Sequence, residues 1–129
     1  MPDFEELQDR LPISCQSFSE LRSSGLVYVD KTAFVQKLAR NKQPRILTRP
    51  RRFGKSTLLS TVEELFLHGL EPYDGHDSYF KGLSIEKTWQ DQGRYLVLHL
   101  DFYRLNSMSA TVGEFHTRLM RRIADFCEE

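Results

Sequence analysis

Cysteine is scarce in this chain. Cys15 and Cys127 are the only two, and neither stands at metal-ligand spacing from another cysteine or a histidine. A zinc-binding cluster and a multi-bridge disulfide framework are therefore excluded. Two free thiols are the expectation, with a single Cys15–Cys127 bridge left open. No apolar run approaches the roughly 20 residues that a membrane-spanning helix needs. The opening Met1-Pro2-Asp3-Phe4-Glu5-Glu6 is acidic where a secretory leader would be basic. A cytoplasmic location with no membrane partner follows as the expectation. The four histidines, His68, His76, His99 and His116, share no ligand spacing and read as core or surface residues.

One further absence is local. From Lys31 to Val62 there is no aspartate or glutamate, while Lys31, Lys37, Arg40, Lys42, Arg45, Arg49, Arg51, Arg52 and Lys55 are all basic. The formal net charge of the whole chain is nevertheless +0. The remainder thus holds all 18 carboxylates against nine cations, and the middle segment is strongly cationic. Such a segment suits a polyanion, either a nucleotide or a nucleic-acid backbone. The length of 129 residues fits one domain or a piece of one, and 40% hydrophobic with 12% aromatic content is ordinary for a globular protein.

At the centre of the cationic segment lies Ile46-Leu47-Thr48-Arg49-Pro50-Arg51-Arg52-Phe53-Gly54-Lys55-Ser56-Thr57-Leu58-Leu59. An apolar run enters a short basic loop, and Gly-Lys-Ser-Thr opens a helical pattern, the order of a phosphate-binding P-loop. Gly54 lacks a Cβ and would let the backbone approach a phosphate. Unpaired N–H groups at a helix start, with the helix dipole behind them, attract anions. Lys55 would reach the outer phosphates, and the Ser56 hydroxyl would complete the shell of a Mg²⁺ ion. Arg51, Arg52, Phe53 and Thr57 complete the candidate nucleotide-binding set. The full G-x-x-x-x-G-K-[ST] pattern is incomplete, because Arg49 stands where its first glycine would be and Pro50 pushes Arg49 toward extended backbone. A solvated basic turn before a helix is the plainer alternative.

Along the chain, residues 1–11 suggest an arm or one helical turn. Ser17–Arg22 suggests a short helix closed by Gly25, and Leu26–Val29 a brief strand or extended segment. Asp30 stands at the N-cap position of a helix whose apolar face is Phe34, Val35 and Leu38. Arg45–Thr48 is expected as the strand before the loop. The helix after it carries Leu58, Leu59, Val62, Leu65 and Phe66 and ends near His68-Gly69. Residues 69–94, with four glycines and Pro72, suggest a loop-rich excursion docked by its aromatics, Trp89 among them. Tyr95–Leu100 is nearly unbroken apolar sequence, as in a strand buried on both faces, and it ends in Asp101. Thr111-Val112-Gly113-Glu114 has capping-box spacing before a last helix with Val112, Phe115, Leu119, Ile123 and Phe126 on one side and Arg118, Arg121 and Arg122 on a solvated face. No glycine, cation or proline closes that helix, so the chain reads as stopping inside a larger domain.

Leu11-Pro12-Ile13, Phe18, Tyr28-Val29-Asp30-Lys31-Thr32, Arg49-Pro50-Arg51-Arg52-Phe53-Gly54-Lys55-Ser56 and His99-Leu100-Asp101-Phe102 occur in that order. The series resembles the N-terminal region of bacterial predicted AAA-ATPase-like proteins, in which a P-loop domain is commonly followed by a nuclease-like domain. The resemblance implies ATP and Mg²⁺ as ligands and makes the missing first glycine a family trait. It also places Asp30 on the adenine side of the site. The family's acidic Walker B strand lies beyond the part matched here, so no catalytic carboxylate is assigned; Asp101 is the one weak candidate, and a cap of the next turn explains it better.

The expected fold is therefore α/β: a three-layer, P-loop NTPase-like parallel sheet, incomplete at its C-terminal end, with 45–49 and 95–100 as parallel neighbours. Residues 1–44 would be a lead-in and 45–129 the strand–loop–helix core. The expected function is ATP binding without robust turnover, with a homo-oligomer or a missing C-terminal domain as further partners. Sequence-nonspecific nucleic-acid binding through Arg45–Lys55 is the alternative.

Overall fold

The computed structural model describes residues 4–128, apart from the side chains of Phe4, Glu6 and Leu7. Two compact units divide the chain, one ending at Tyr95 and one running from Leu96. The first contains α1 (Phe4–Asp9), α2 (Phe18–Ser23), α3 (Thr32–Arg40), α4 (Lys55–His68) and a 3₁₀ turn at Ser84–Lys87. The second contains α5 (Phe102–Ser107) and α6 (Val112–Glu128).

The three-layer parallel sheet expected from the sequence is not there. Among the described residues there is no strand, and the one β-bridge joins Tyr73 to His76 across a tight turn. Residues 45–49 and 95–100, expected as parallel neighbours, carry no regular structure. The reason is visible in the backbone of the first segment. A strand's N–H and C=O groups must be met by a neighbouring ladder. Here the carbonyls of Thr48, Arg49 and Pro50 accept instead from the Arg49 guanidinium and the Lys55 ammonium. Pro44 and Pro50 bracket the segment and have no N–H to offer. Ile46 is 91% exposed. In the second segment, Leu96 is likewise exposed, and the Tyr95 N–H goes to the Phe66 carbonyl at 2.8 Å. Leu26–Val29, expected as a brief strand or extended segment, likewise carries no regular structure.

The core of the first unit is built by the excursion after α4. Phe18, Val35, Leu65, Phe80, Leu83 and Ile85 are buried together, with Tyr28, Leu58, Val62, Tyr79 and Trp89 packed around them. Phe18 lies 4.8 Å from Phe80 and edge-on to Tyr28 at 5.2 Å. The aromatics of residues 69–94 thus dock that segment, as expected. The Phe18 N–H donates to Ser60 Oγ at 2.8 Å and fixes α2 on α4. At the far end of α4, Gly69 takes a positive φ and closes the helix where the sequence indicates.

Asp30 ties α3 to the 3₁₀ turn. Its Oδ1 accepts from the Thr32 N–H (2.9 Å) and hydroxyl (2.6 Å), and its Oδ2 from the Ser84 N–H (2.7 Å). The buried Thr32 hydroxyl in turn accepts from the Ile85 N–H at 3.1 Å. Burial raises the Asp30 pKa, but the hydrogen bonds from Thr32 and Ser84 outweigh it and bring the carboxyl down to about 2. A depressed folded-state pKa stabilises the fold above the ordinary carboxylate value near 4, and that stability is lost as pH falls through about 2. Asp30→Asn is expected to cost about 1 kcal/mol at neutral pH, below the roughly 1.5–3 kcal/mol of charged hydrogen bonds because the carboxylate is exposed. The cost should shrink in urea titrations carried down toward pH 2.

In the second unit the Asp101 carboxylate accepts from the Arg104 N–H at 3.0 Å and caps α5. Thr111 Oγ1 accepts from the Glu114 N–H (3.2 Å), while the Glu114 carboxylate reaches the Ala110 N–H (2.7 Å), one residue before the expected capping-box partner. Phe102 stacks on Phe115 at 6.4 Å, and Phe115, Leu119, Ile123 and Phe126 form the partly covered face of α6.

Candidate functional site: the basic loop at the start of α4

The loop reaches α4 through two left-handed residues. Arg52 has φ 65°, and Gly54, the N-cap of α4, has φ 75° and ψ 22°. Such a conformation suits glycine and is strained for a residue with a Cβ. Having no side chain, Gly54 cannot cap the helix itself, so the first-turn N–H groups face outward without a side-chain acceptor. The Gly54 carbonyl takes the Leu58 N–H at 2.9 Å. A helix of 14 residues thus starts with an open donor set and the positive end of its dipole.

Lys55 bends back over the loop. Its ammonium donates to the Arg49 carbonyl (2.8 Å) and the Pro50 carbonyl (2.7 Å) and holds the loop closed beneath it. Arg51, Arg52 and Phe53 are exposed, and Ser56 is exposed with no hydrogen-bond partner among the described residues. Neither ion pair found among the described residues, Lys81–Asp77 and Arg94–Glu71, involves a cation of the Lys31–Lys55 segment. The cations of the loop thus have no ion-pair partner among the described residues.

A cavity of about 200 Å³ adjoins it, lined by Gly54, Thr57 and Thr61 of the loop and α4 and by Cys15, Val27 and Tyr28 of the lead-in. Burial raises the Tyr28 pKa and keeps its phenol protonated. The Cys15 thiol is likewise raised, first by burial and then by Glu20, so it is a poor nucleophile at neutral pH. Both cysteines are free.

Arg51 through Thr57 thus sit together at one helix start. Asp30 does not line the cavity, although its neighbours Val29 and Lys31 do; its carboxylate is engaged by Thr32 and Ser84. The sequence reading missed Pro12, Cys15 and Val27 as cavity walls. The first of these lies inside the Leu11-Pro12-Ile13 motif quoted for the resemblance, which was the available signal.

A glycine-lysine-serine turn opening a helix, inside a cationic segment, marks the chain as a candidate phosphate binder. The family model described as Predicted AAA-ATPase matches residues 12–129, and the chain belongs to this AAA-ATPase-like family. An uncharacterized protein in the vnfD 5′ region of Azotobacter chroococcum mcd 1 is 38% identical over 94 residues, covering 72% of this chain and 17% of that protein. The chain thus matches a minor part of that relative's length. No solved structure matches the chain. Among the described residues, no helix is long and apolar enough to cross a membrane.

Proposed function

We propose that this chain binds the phosphates of ATP at the start of α4. The observation that carries the reading is the open, glycine-capped first turn of α4 with Lys55 poised over the loop. An incoming triphosphate would take the Lys55–Thr57 N–H groups and draw the Lys55 ammonium from the loop carbonyls to its outer oxygens. Arg51 and Arg52 would close around it with planar guanidinium groups. The cavity beside Gly54 lies below the range of roughly 300–1,000 Å³ that whole small ligands occupy. It has room for one part of a nucleotide, and we assign it to the base, between Tyr28 and Thr57.

Mg²⁺ fits the same turn. The Ser56 hydroxyl is exposed and free among the described residues, a hard oxygen of the kind this ion takes alongside phosphate and water. When bound, the ion would neutralise phosphate charge. The chain's own contribution is the position of that hydroxyl on the first turn of α4.

Calorimetric titration with ATP, with and without Mg²⁺, tests the reading. Saturable binding strengthened by Mg²⁺ is expected, and Ser56→Ala should remove most of the Mg²⁺ effect while leaving metal-free binding in place. Equal Mg²⁺ dependence in wild type and Ser56→Ala would rule out the metal assignment. Asp101 caps α5 and is not assigned to the site; phosphate release is expected at background. Robust release abolished by Asp101→Asn would make Asp101 a metal carboxylate after all.

Among the described residues no carboxylate forms an ion pair with the basic segment, which also favours the second reading, a sequence-nonspecific nucleic-acid contact. Binding to DNA of any sequence, falling steeply with salt and indifferent to ATP, would favour it over the first.

A further inference from the structure

A second concavity lies toward the other end of α4, about 17 Å along the helix from Lys55 at 1.5 Å per residue. Its volume is about 630 Å³, within the roughly 300–1,000 Å³ typical of small-molecule sites. Three aromatic rings line it. Phe66 of α4 meets Trp89 edge-on at 6.2 Å and Tyr95 edge-on at 5.3 Å. The end of α3 supplies two cations, Arg40 and, just beyond the helix, Lys42. Arg40 is steadied by the Thr88 carbonyl at 3.3 Å, whereas Lys42 has no partner among the described residues.

The charge balance gives this cavity a chemical preference. Asp91 is the acidic lining residue, and both its oxygens are engaged, one by the Gly93 N–H and one by the Tyr95 hydroxyl, each at 2.8 Å. Those bonds lower its pKa and keep it ionised, leaving two cations against one carboxylate. Trp89 is partly buried and lines the cavity with its ring, while its Nε1–H is buried away from solvent.

We propose that this cavity binds a small planar aromatic anion. The ring would pack among Phe66, Trp89 and Tyr95, where edge-to-face and stacked contacts favour a flat π-system. The negative group would sit at the Arg40 and Lys42 rim. The proposal stands apart from ATP binding at the loop, since the cavity shares no residue with it.

Trp89 is the only tryptophan, so the protein has a single indole N–H signal in a ¹H–¹⁵N spectrum. Benzoate is the probe, with benzyl alcohol as the uncharged ring and acetate as the charge without a ring. The indole signal is expected to move saturably with benzoate, at least threefold more weakly with benzyl alcohol, and not with acetate. Lys42→Gln, at an exposed position, should weaken benzoate about three- to fivefold, the scale of one exposed charge contact. Lys55→Ala should leave benzoate binding unchanged while impairing ATP, which separates failure here from failure of the nucleotide reading. An indole signal unmoved by benzoate, equal responses to benzoate and benzyl alcohol, or undiminished affinity in Lys42→Gln would each overturn the proposal.

Discussion

Phe18→Ala is expected to destabilise the unit ending at Tyr95 by about 3–5 kcal/mol, the range for removing a buried phenylalanine. Phe18 has no exposed surface and is the point where three segments meet. It lies against Phe80 of the excursion and Tyr28 of the lead-in, while its own N–H is held by Ser60 of α4. The alanine would leave a cavity that these partners cannot close together, because each is fixed by separate bonds. Arg22, one turn further along α2, donates to the Tyr79 and Lys81 carbonyls at 2.8 Å each and keeps the excursion in place. A domain has only about 5–15 kcal/mol of net stability, so the loss would be a large fraction of the total. Urea denaturation followed by circular dichroism measures the loss. Phe34→Ala is the control, since Phe34 is 49% exposed and should cost far less. Equal losses in both variants would mean that Phe18 does not organise this core.

Local signals in the sequence were legible. Gly69 past the apolar stripe of α4 and Thr111 before α6 announce helix ends through interactions within a few residues, and the structure places those ends there. The cap at Asp101 was readable for the same reason. The sheet was misread because a short apolar run states a preference for burial and names no partner. Ile46-Leu47 and Leu96-Val97-Leu98 look alike in composition to buried strands, yet their pairing depends on other segments and cannot be inferred from the runs themselves. Asp30 shows the same limit in a side chain. The N-cap expected at Asp30 falls one residue later, at Lys31, and although the Asp30 bond to Thr32 is local, its bond to Ser84, 54 residues away, has no local trace. The loop of the candidate site was legible because glycine, lysine and serine are contiguous. The cavity beside it was less so, since its walls come from residues 12–31 and from α4.

Lys55→Ala is expected to weaken ATP binding at least tenfold, or about 1.4 kcal/mol, by deleting a charge-assisted contact to the outer phosphates. Two effects are superimposed in that substitution. The ammonium also donates to the Arg49 and Pro50 carbonyls, so its loss frees the loop as well as removing a charge. The two are separable by ligand length. Loop loosening would weaken AMP, ADP and ATP alike, because all of them need the first-turn N–H groups arranged. Loss of the charge should fall on ATP and ADP and spare AMP, which has no outer phosphates for Lys55 to reach. Calorimetry on the three nucleotides with wild type and Lys55→Ala makes the comparison, with Lys55→Arg restoring charge but not the compact ammonium geometry. A graded loss, largest for ATP, is the expected pattern. Wild-type ATP binding that persists undiminished in Lys55→Ala would remove the loop from the site altogether, whatever the shape of the turn around Gly54.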